Sequence, residues 1–227
     1  MDLALFDFDG TITDGDGFLP FIHLAVSRAR ALAGTLWLSP LIAGHRAGWV
    51  SSSRMRERIA WVAFRGRPRA ALAALGERYA ADVLEGRVRR EASQRIAWHQ
   101  ARGDRVLVVS ASLDCYLAPW CRARGLELIC SELEVREGVC TGRYRGGDCS
   151  GPEKARRVLE RCEIGSYRQV FAYGDTSEDR ELLALAQRRF FRWRELAPGS
   201  DISTSLRPSR DSLPRGGQRE PPPRKTQ

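Results

Sequence analysis

Apolar residues recur along this chain in two rhythms, and the switch between them divides it. Residues 3–6, Leu-Ala-Leu-Phe, form a continuous apolar run that predicts a short strand buried on both faces. From residue 16 to about residue 102 the spacing is helical: Phe18, Phe21, Ile22 and Ala25, then Ile59, Val62 and Ala63, then Leu72, Leu75, Tyr79 and Val83. Four or five helices fit there, with breaks near Gly34, Pro40, Gly48, residues 66–68 and Gly86. Gly103 and Asp104 end this pattern, and residues 105–109 read as a second buried strand.

Strands and helices then alternate. A helix is predicted over residues 113–124, a short strand near 128–129, a hairpin of 132–135 with 139–144, and a helix from Pro152 to about Cys162. A buried strand at 169–173, a helix at 178–186 and a strand at 189–193 complete the series. The order predicts an α/β protein, a Rossmann-like parallel sheet core with a helical bundle inserted after the first strand. The expected boundaries are a core of residues 1–15 and 103–197 and a helical domain of 16–102. From residue 198 the chain turns to Pro, Gly, Ser and Arg with few large apolar residues, as expected of a disordered basic tail.

Composition changes this picture little. The formal net charge of +9 favours anionic partners. Only Lys154 and Lys225 among 37 basic residues are lysine, so arginine is used in every context and marks no particular face. No run interleaves basic and aromatic residues, and no nucleic-acid partner is expected. The six cysteines lack a Cys-x-x-Cys pair and a nearby His, which predicts buried, reduced thiols. A strand beginning so near residue 1 leaves no room for a secretory leader, so a cytoplasmic location is expected. Residues 31–44 form the longest apolar stretch, too short for the ~20 residues that span a bilayer, yet able to lie on a membrane or cover a hydrophobic substrate.

The candidate chemistry sits at the ends of the predicted strands, where open α/β sheets bind ligands. Asp7 and Asp9 leave the first strand two residues apart, so both can face one site, and Gly10 lets the chain turn away behind them. Carboxylates so close call for a cation such as Mg²⁺, and one carboxylate oxygen then remains to attack an electrophile such as a phosphoryl group. The second strand ends in Ser110-Ala111-Ser112. Lys154, alone among arginines, opens a helix, and Gly174-Asp175 with Asp179 follows a later strand. Each element also has a purely structural reading: a turn after a strand, a helix N-cap at Ser112, a solvated surface lysine, capping by Asp175 or Ser177.

Taken in order, Asp7-Phe8-Asp9-Gly10-Thr11, Ser110, Lys154, and Gly174-Asp175 with Asp179 resemble the four motifs of the haloacid dehalogenase-like hydrolase superfamily. The helical insertion is similar to the cap of its phosphoserine phosphatase-like branch (subfamily IB). The resemblance covers residues 1 to about 195. It implies a Mg²⁺-dependent phosphomonoester hydrolase with Asp7 as nucleophile, forming an aspartyl-phosphate, and Asp9 as general acid and base. Mg²⁺ would be held by Asp7, the Asp9 backbone carbonyl and Asp175, with Asp179 supporting that shell. Ser110, Lys154, Gly10 and Thr11 would bind the phosphoryl oxygens. Members that attack carbon halides usually lack the second aspartate, so Asp9 favours a phosphatase. Phosphoserine phosphatases usually carry Ser where this chain has Gly10 and a Glu near Asp16, and these departures argue against phosphoserine itself. Asp16 remains a candidate for the substrate pocket or for a helix N-cap. The substrate is expected to be a small or lipid-linked phosphomonoester, with peripheral membrane contact an option. Transfer to an acceptor other than water, and a non-catalytic module binding phospho-ligands or membranes, are the alternatives.

Overall fold

The computed structural model describes residues 1–200, so all but the first three residues of the expected tail lie outside the described residues. A seven-stranded sheet runs in the order β4-β3-β2-β1-β5-β6-β7. β1 (Leu3–Phe6) is central and pairs in parallel with β2 (Arg105–Leu113) and β5 (Val170–Gly174). β3 (Glu127–Arg136) and β6 (Arg188–Phe191) extend the parallel set, and β4 (Val139–Arg145) and β7 (Arg194–Glu195) close the edges antiparallel. The parallel α/β architecture read from the apolar rhythm is the one observed.

β1 is apolar throughout because it is covered on both sides. Ala4 and Phe6 enter one core with Val108, Phe171 and Tyr173, while Leu3 and Leu5 enter the other with Leu107, Val158 and Leu182. The second core is roofed by α7 (Pro152–Arg161) and α8 (Arg180–Ala184). The first is larger and continues from the sheet into the inserted helices through Phe21, Phe64, Leu72 and Tyr79. Those helices are α1 (Phe18–Ala25), α2 (Arg28–Arg46), α3 (Ser52–Phe64), α4 (Arg69–Tyr79) and α5 (Arg90–Ala101); α6 (Asp114–Arg122) follows β2.

Several sequence expectations shift. The predicted short strand and the first hairpin arm are one strand, β3, bent by a register irregularity between Leu133 and Val135. α2 is unbroken across Gly34 and Pro40. Pro40 cannot donate to the Leu36 carbonyl, but the Ser39 hydroxyl does so at 2.8 Å, and Gly34 lies where a Cβ would come within 2.7 Å of Val62. The helix expected at 178–186 is a 3₁₀ turn at Ser177–Asp179 followed by the short α8. α5, expected within the separate helical domain, packs on the sheet: His99 bonds the Tyr173 hydroxyl at 2.9 Å and stands edge-on to Phe6 and Phe171. This leaves α1–α4 as the helices packed apart from the sheet, and of these α1 and α3 line the cleft through Phe18 and Arg56. All six cysteines are buried free thiols. Among the described residues, no helix is long and apolar enough to cross a membrane.

α4 approaches α6 so closely at Gly76 that a Cβ there would lie 2.0 Å from the Cys115 carbonyl oxygen, a backbone atom that cannot rotate away. Gly76→Ala is therefore expected to destabilise the fold by about 1–3 kcal/mol, read from the midpoint of urea unfolding.

Candidate active site

The chain leaves β1 through Asp7, still extended and bonded through its N–H to the Tyr173 carbonyl at 2.9 Å. It then makes a wide turn over Phe8–Ile12, closed where the Thr13 N–H donates to the Phe8 carbonyl at 3.0 Å. Asp9 is still extended within that turn, and Gly10 has φ 81°, a left-handed conformation that side chains resist. A Cβ on Gly10 would also sit 2.3 Å from Asp175 Oδ2. The glycine thus lets two strand ends bring their carboxylates together.

Asp7, Asp175 and Asp179 each offer an oxygen, and these oxygens all lie within 4.8 Å of one another. Lys154, buried in the first turn of α7, donates to Asp7 Oδ1 at 2.5 Å and to Asp179 Oδ1 at 2.6 Å. Burial opposes charge on this lysine, but the two carboxylates outweigh it and hold its affinity for the proton above the ordinary value. Three carboxylates facing one ammonium still leave two negative charges. The deficit, together with donors that are all hard oxygens, fits a divalent Mg²⁺-type ion. Asp179 is already committed: its Oδ2 accepts the N–H groups of Asp175 and Thr176 at 3.0 Å each. A Cβ on Gly174 would collide with Asp179 at 2.5 Å, so this glycine too admits the cluster.

The Asp9 carboxylate is not among the three. Its Oδ1 accepts the Gly17 N–H at 2.6 Å, and its Oδ2 accepts the Ser112 hydroxyl at 2.5 Å. Any share it takes in holding a cation falls to its backbone carbonyl. Ser110 is buried behind it, 3.5 Å from Asp9 Oδ2, accepting the Ser112 N–H at 3.0 Å. Ser112, expected as a helix cap, is not one; the N-cap of α6 is Leu113, which has no polar side chain to cap with, and the Ser112 hydroxyl donates to Asp9. The capping expected of Asp175 or Ser177 is done by Thr176 with Asp179. Thr11 is buried, and its hydroxyl donates to Asp175 Oδ1 at 3.3 Å. Asp16, just before the Gly17 N-cap, accepts the N–H groups of Phe18 and Leu19 at 2.9 and 3.1 Å at the start of α1, and it lines the cleft.

That cleft, of about 290 Å³, opens onto Asp7, Asp9, Gly10, Ser112, Lys154 and Asp175 from the sheet side and onto Asp16, Phe18 and Arg56 from the helical side. Arg56 on α3 was not legible in the sequence, where it is one arginine among many. It spans to Asp148 Oδ2 at 2.7 Å and Glu178 Oε2 at 2.9 Å, clasping the inserted helices to the loops beneath. Asp148 is buried and also receives the Ser131 and Ser150 hydroxyls.

A model of the haloacid dehalogenase-like hydrolase family matches residues 4–184, and the chain belongs to that family. Protein CicA of Caulobacter vibrioides is 29% identical to it over 201 residues, covering 84% of this chain and 85% of that protein. Among solved structures, a protein of unknown function from Bordetella pertussis Tohama I matches with a TM-score of 0.66 at 24% identity, over 84% of this chain and 89% of that one. A substrate-bound phosphoserine phosphatase matches with a TM-score of 0.58 at 17% identity, over 83% and 84%. The fold is common to all three structures.

Burial raises the carboxyl groups of Asp7 and Asp9, with Asp179 adding to the effect at Asp7, and burial together with Asp179 brings Asp175 up to about 6 from 3.8. A carboxyl raised by folding binds protons more tightly in the folded chain. The stability that Asp175 contributes is therefore present below its unfolded value of 3.8 and is lost as the pH rises through about 6. A divalent ion must displace those protons. Mg²⁺ is expected to raise the melting temperature by about 3 °C or more near pH 7.5 and far less near pH 5, in a thermal-shift titration. Arg56→Ala is expected to cost about 2 kcal/mol in urea unfolding, because Asp148 is left buried without its cation.

Proposed function

We propose that the chain is a Mg²⁺-dependent phosphomonoester hydrolase working through an aspartyl-phosphate. The observation that carries this reading is the placing of Asp7: buried at the end of the central strand, bonded to Lys154, and open to the cleft beside Asp9. A carboxylate oxygen of Asp7 attacks phosphorus, and the bond to the substrate's bridging oxygen breaks. Asp9, its proton affinity raised by burial and its carboxyl oriented by Gly17 and Ser112, protonates the departing alkoxide. The same carboxylate then takes a proton from water, which attacks the aspartyl-phosphate and releases phosphate. Splitting the hydrolysis in two lets one residue serve as acid and then as base.

Lys154 supplies fixed positive charge to the phosphoryl oxygens, with Ser110 and the turn at Gly10 and Thr11 completing their cradle; of these Lys154 and Gly10 line the cleft, as does Ser112, while the buried Ser110 and Thr11 hydroxyls lie behind it on Asp9 and Asp175. Mg²⁺, held by Asp7, the Asp9 carbonyl and Asp175 with Asp179 behind them, would polarise the phosphoryl group and offset its charge. Asp16, Phe18 and Arg56 face the leaving group, so the inserted helices read whether it is small or lipid-linked.

Phosphate release should be measured across phosphoserine, sugar phosphates, nucleotides and lipid phosphates, with and without Mg²⁺. Asp7→Asn is expected to lower turnover about 10³-fold or more with the unfolding midpoint retained. Undiminished release by that variant would refute the assignment of the nucleophile. Phosphorylated product from an added alcohol acceptor, in place of free phosphate, would identify a phosphotransferase instead.

A further inference from the structure

The segment from residue 17 to residue 56 contains five arginines and no aspartate or glutamate, in a chain with 28 acidic residues elsewhere. Among the described residues it is also the part richest in exposed large apolar side chains. Of eleven large hydrophobic side chains exposed among the described residues, six fall between residues 19 and 49: Leu19, Leu24, Leu32, Leu36, Trp37 and Trp49. Leu32 is 64% exposed, Leu36 67% and Trp49 85%, values that no fold-internal packing explains.

Three of them, Leu32, Leu36 and Trp37, lie on α2. Its buried face, with Gly34 and Leu38, meets α3. Positions 28, 32, 36, 39, 43 and 46 are spaced by three or four residues and so form one stripe on the opposite face. All six are exposed, and they read Arg, Leu, Leu, Ser, Ala, Arg. An apolar stripe with a cation at each end suits a helix lying in the plane of a membrane interface, its arginines reaching back to anionic headgroups. At 19 residues with a Pro inside, α2 is not long and apolar enough to cross a membrane.

A second cavity, of about 180 Å³, lies between α1, α2 and α3 and is walled by apolar side chains including Ile22, Val26, Leu38 and Val62. It exceeds the ~150 Å³ of an engineered apolar cavity that takes up benzene. It borders the same two helices as the catalytic cleft. Phe18 faces the cleft and Leu19 the cavity; on α3, Arg56 faces the cleft and Ile59, one turn on, the cavity.

We propose that the outer face of α2 docks on an anionic lipid bilayer and that the phosphomonoester reaching the cleft is carried on a membrane lipid. The second half rests on the hydrolase reading above; the first does not. A second copy of the chain is the less fitting occupant, since two such faces would bring arginines together with no carboxylate of residues 17–56 to meet them.

The full chain would be sedimented with phosphatidylcholine vesicles, with and without about 30 mol% phosphatidylglycerol, at low and high salt. The anionic vesicles are expected to carry the protein down in low salt. The double substitution Leu32→Glu with Leu36→Glu, on residues that line neither cavity, is expected to weaken this by about tenfold or more. It should leave hydrolysis of the best soluble phosphomonoester unchanged, while release of phosphate from a lipid phosphomonoester in the same vesicles falls. Absence of binding by the wild-type chain, or equal binding by the double variant, overturns the docking surface. A wild-type dimer that ignores vesicles and is dissociated by the same substitutions overturns it in favour of self-association. Equal turnover of the vesicle-borne substrate by both chains overturns the lipid substrate. Vesicle binding without turnover of any phosphomonoester would instead refute the hydrolase reading and leave the docking surface standing.

Discussion

Three carboxylates, Asp7, Asp175 and Asp179, meet around one buried ammonium, Lys154, and much of the local backbone is arranged to make that meeting bearable. Like charges at such distances repel strongly once water is removed. The chain answers with donors on every side: Lys154 on Asp7 and Asp179, Thr11 on Asp175, and the N–H groups of Asp175 and Thr176 on Asp179. It also answers with space, since Gly10 and Gly174 stand where any Cβ would push an aspartate away. The remaining negative charge draws protons onto the carboxyls, or a divalent cation in their place. The unbalanced charge thus sits at the carboxyl edge of the central strand.

The inserted helices are bound to that edge by chemistry of another kind. Phe21, Tyr79 and Tyr116 pack together, joining α1 and α4 to α6, and this aromatic cluster belongs to the same core that covers one face of the sheet. Polar contacts join them as well: Tyr79 donates to the Gly17 carbonyl, Arg56 reaches Asp148 and Glu178, Arg69 reaches Asp114, and Gly17 donates to Asp9. The Gly17 contact ties the start of α1 to the Asp9 carboxyl, and its neighbours Asp16 and Phe18 line the cleft beside it.

Much of this was legible in the linear chain. The run at 3–6, the run at 105–109 and the run at 169–173 are apolar on both faces, and only a strand covered on both sides demands that, so the parallel core followed. The residues that gather at its edge were legible as well, because their types are chemically committed: paired aspartates, a solitary lysine, a glycine before an aspartate. Their positions after strands placed them at one end of a sheet. The misread elements share a cause. Pro40 reads as a break until the Ser39 hydroxyl is seen to serve the orphaned carbonyl, and Ser112 reads as a helix cap until Asp9 is seen opposite it.

What the sequence by itself determined is therefore what local pattern can carry: which stretches bury both faces, where the strands stop, and which side chains bear charge there. Partnership across the chain was decided only by tertiary structure. Arg56 lies 92 residues from Asp148 and 122 from Glu178, and nothing nearby distinguishes it from the arginines around it. The assignment of α5 to the sheet, the exposure of Leu32 and Leu36, and the turning of Asp9 toward Gly17 and Ser112 belong to the same class. Each depends on which surfaces meet once helices of similar amphipathic pattern are packed, and that choice is made by shape and charge in three dimensions, which periodicity along one dimension does not encode.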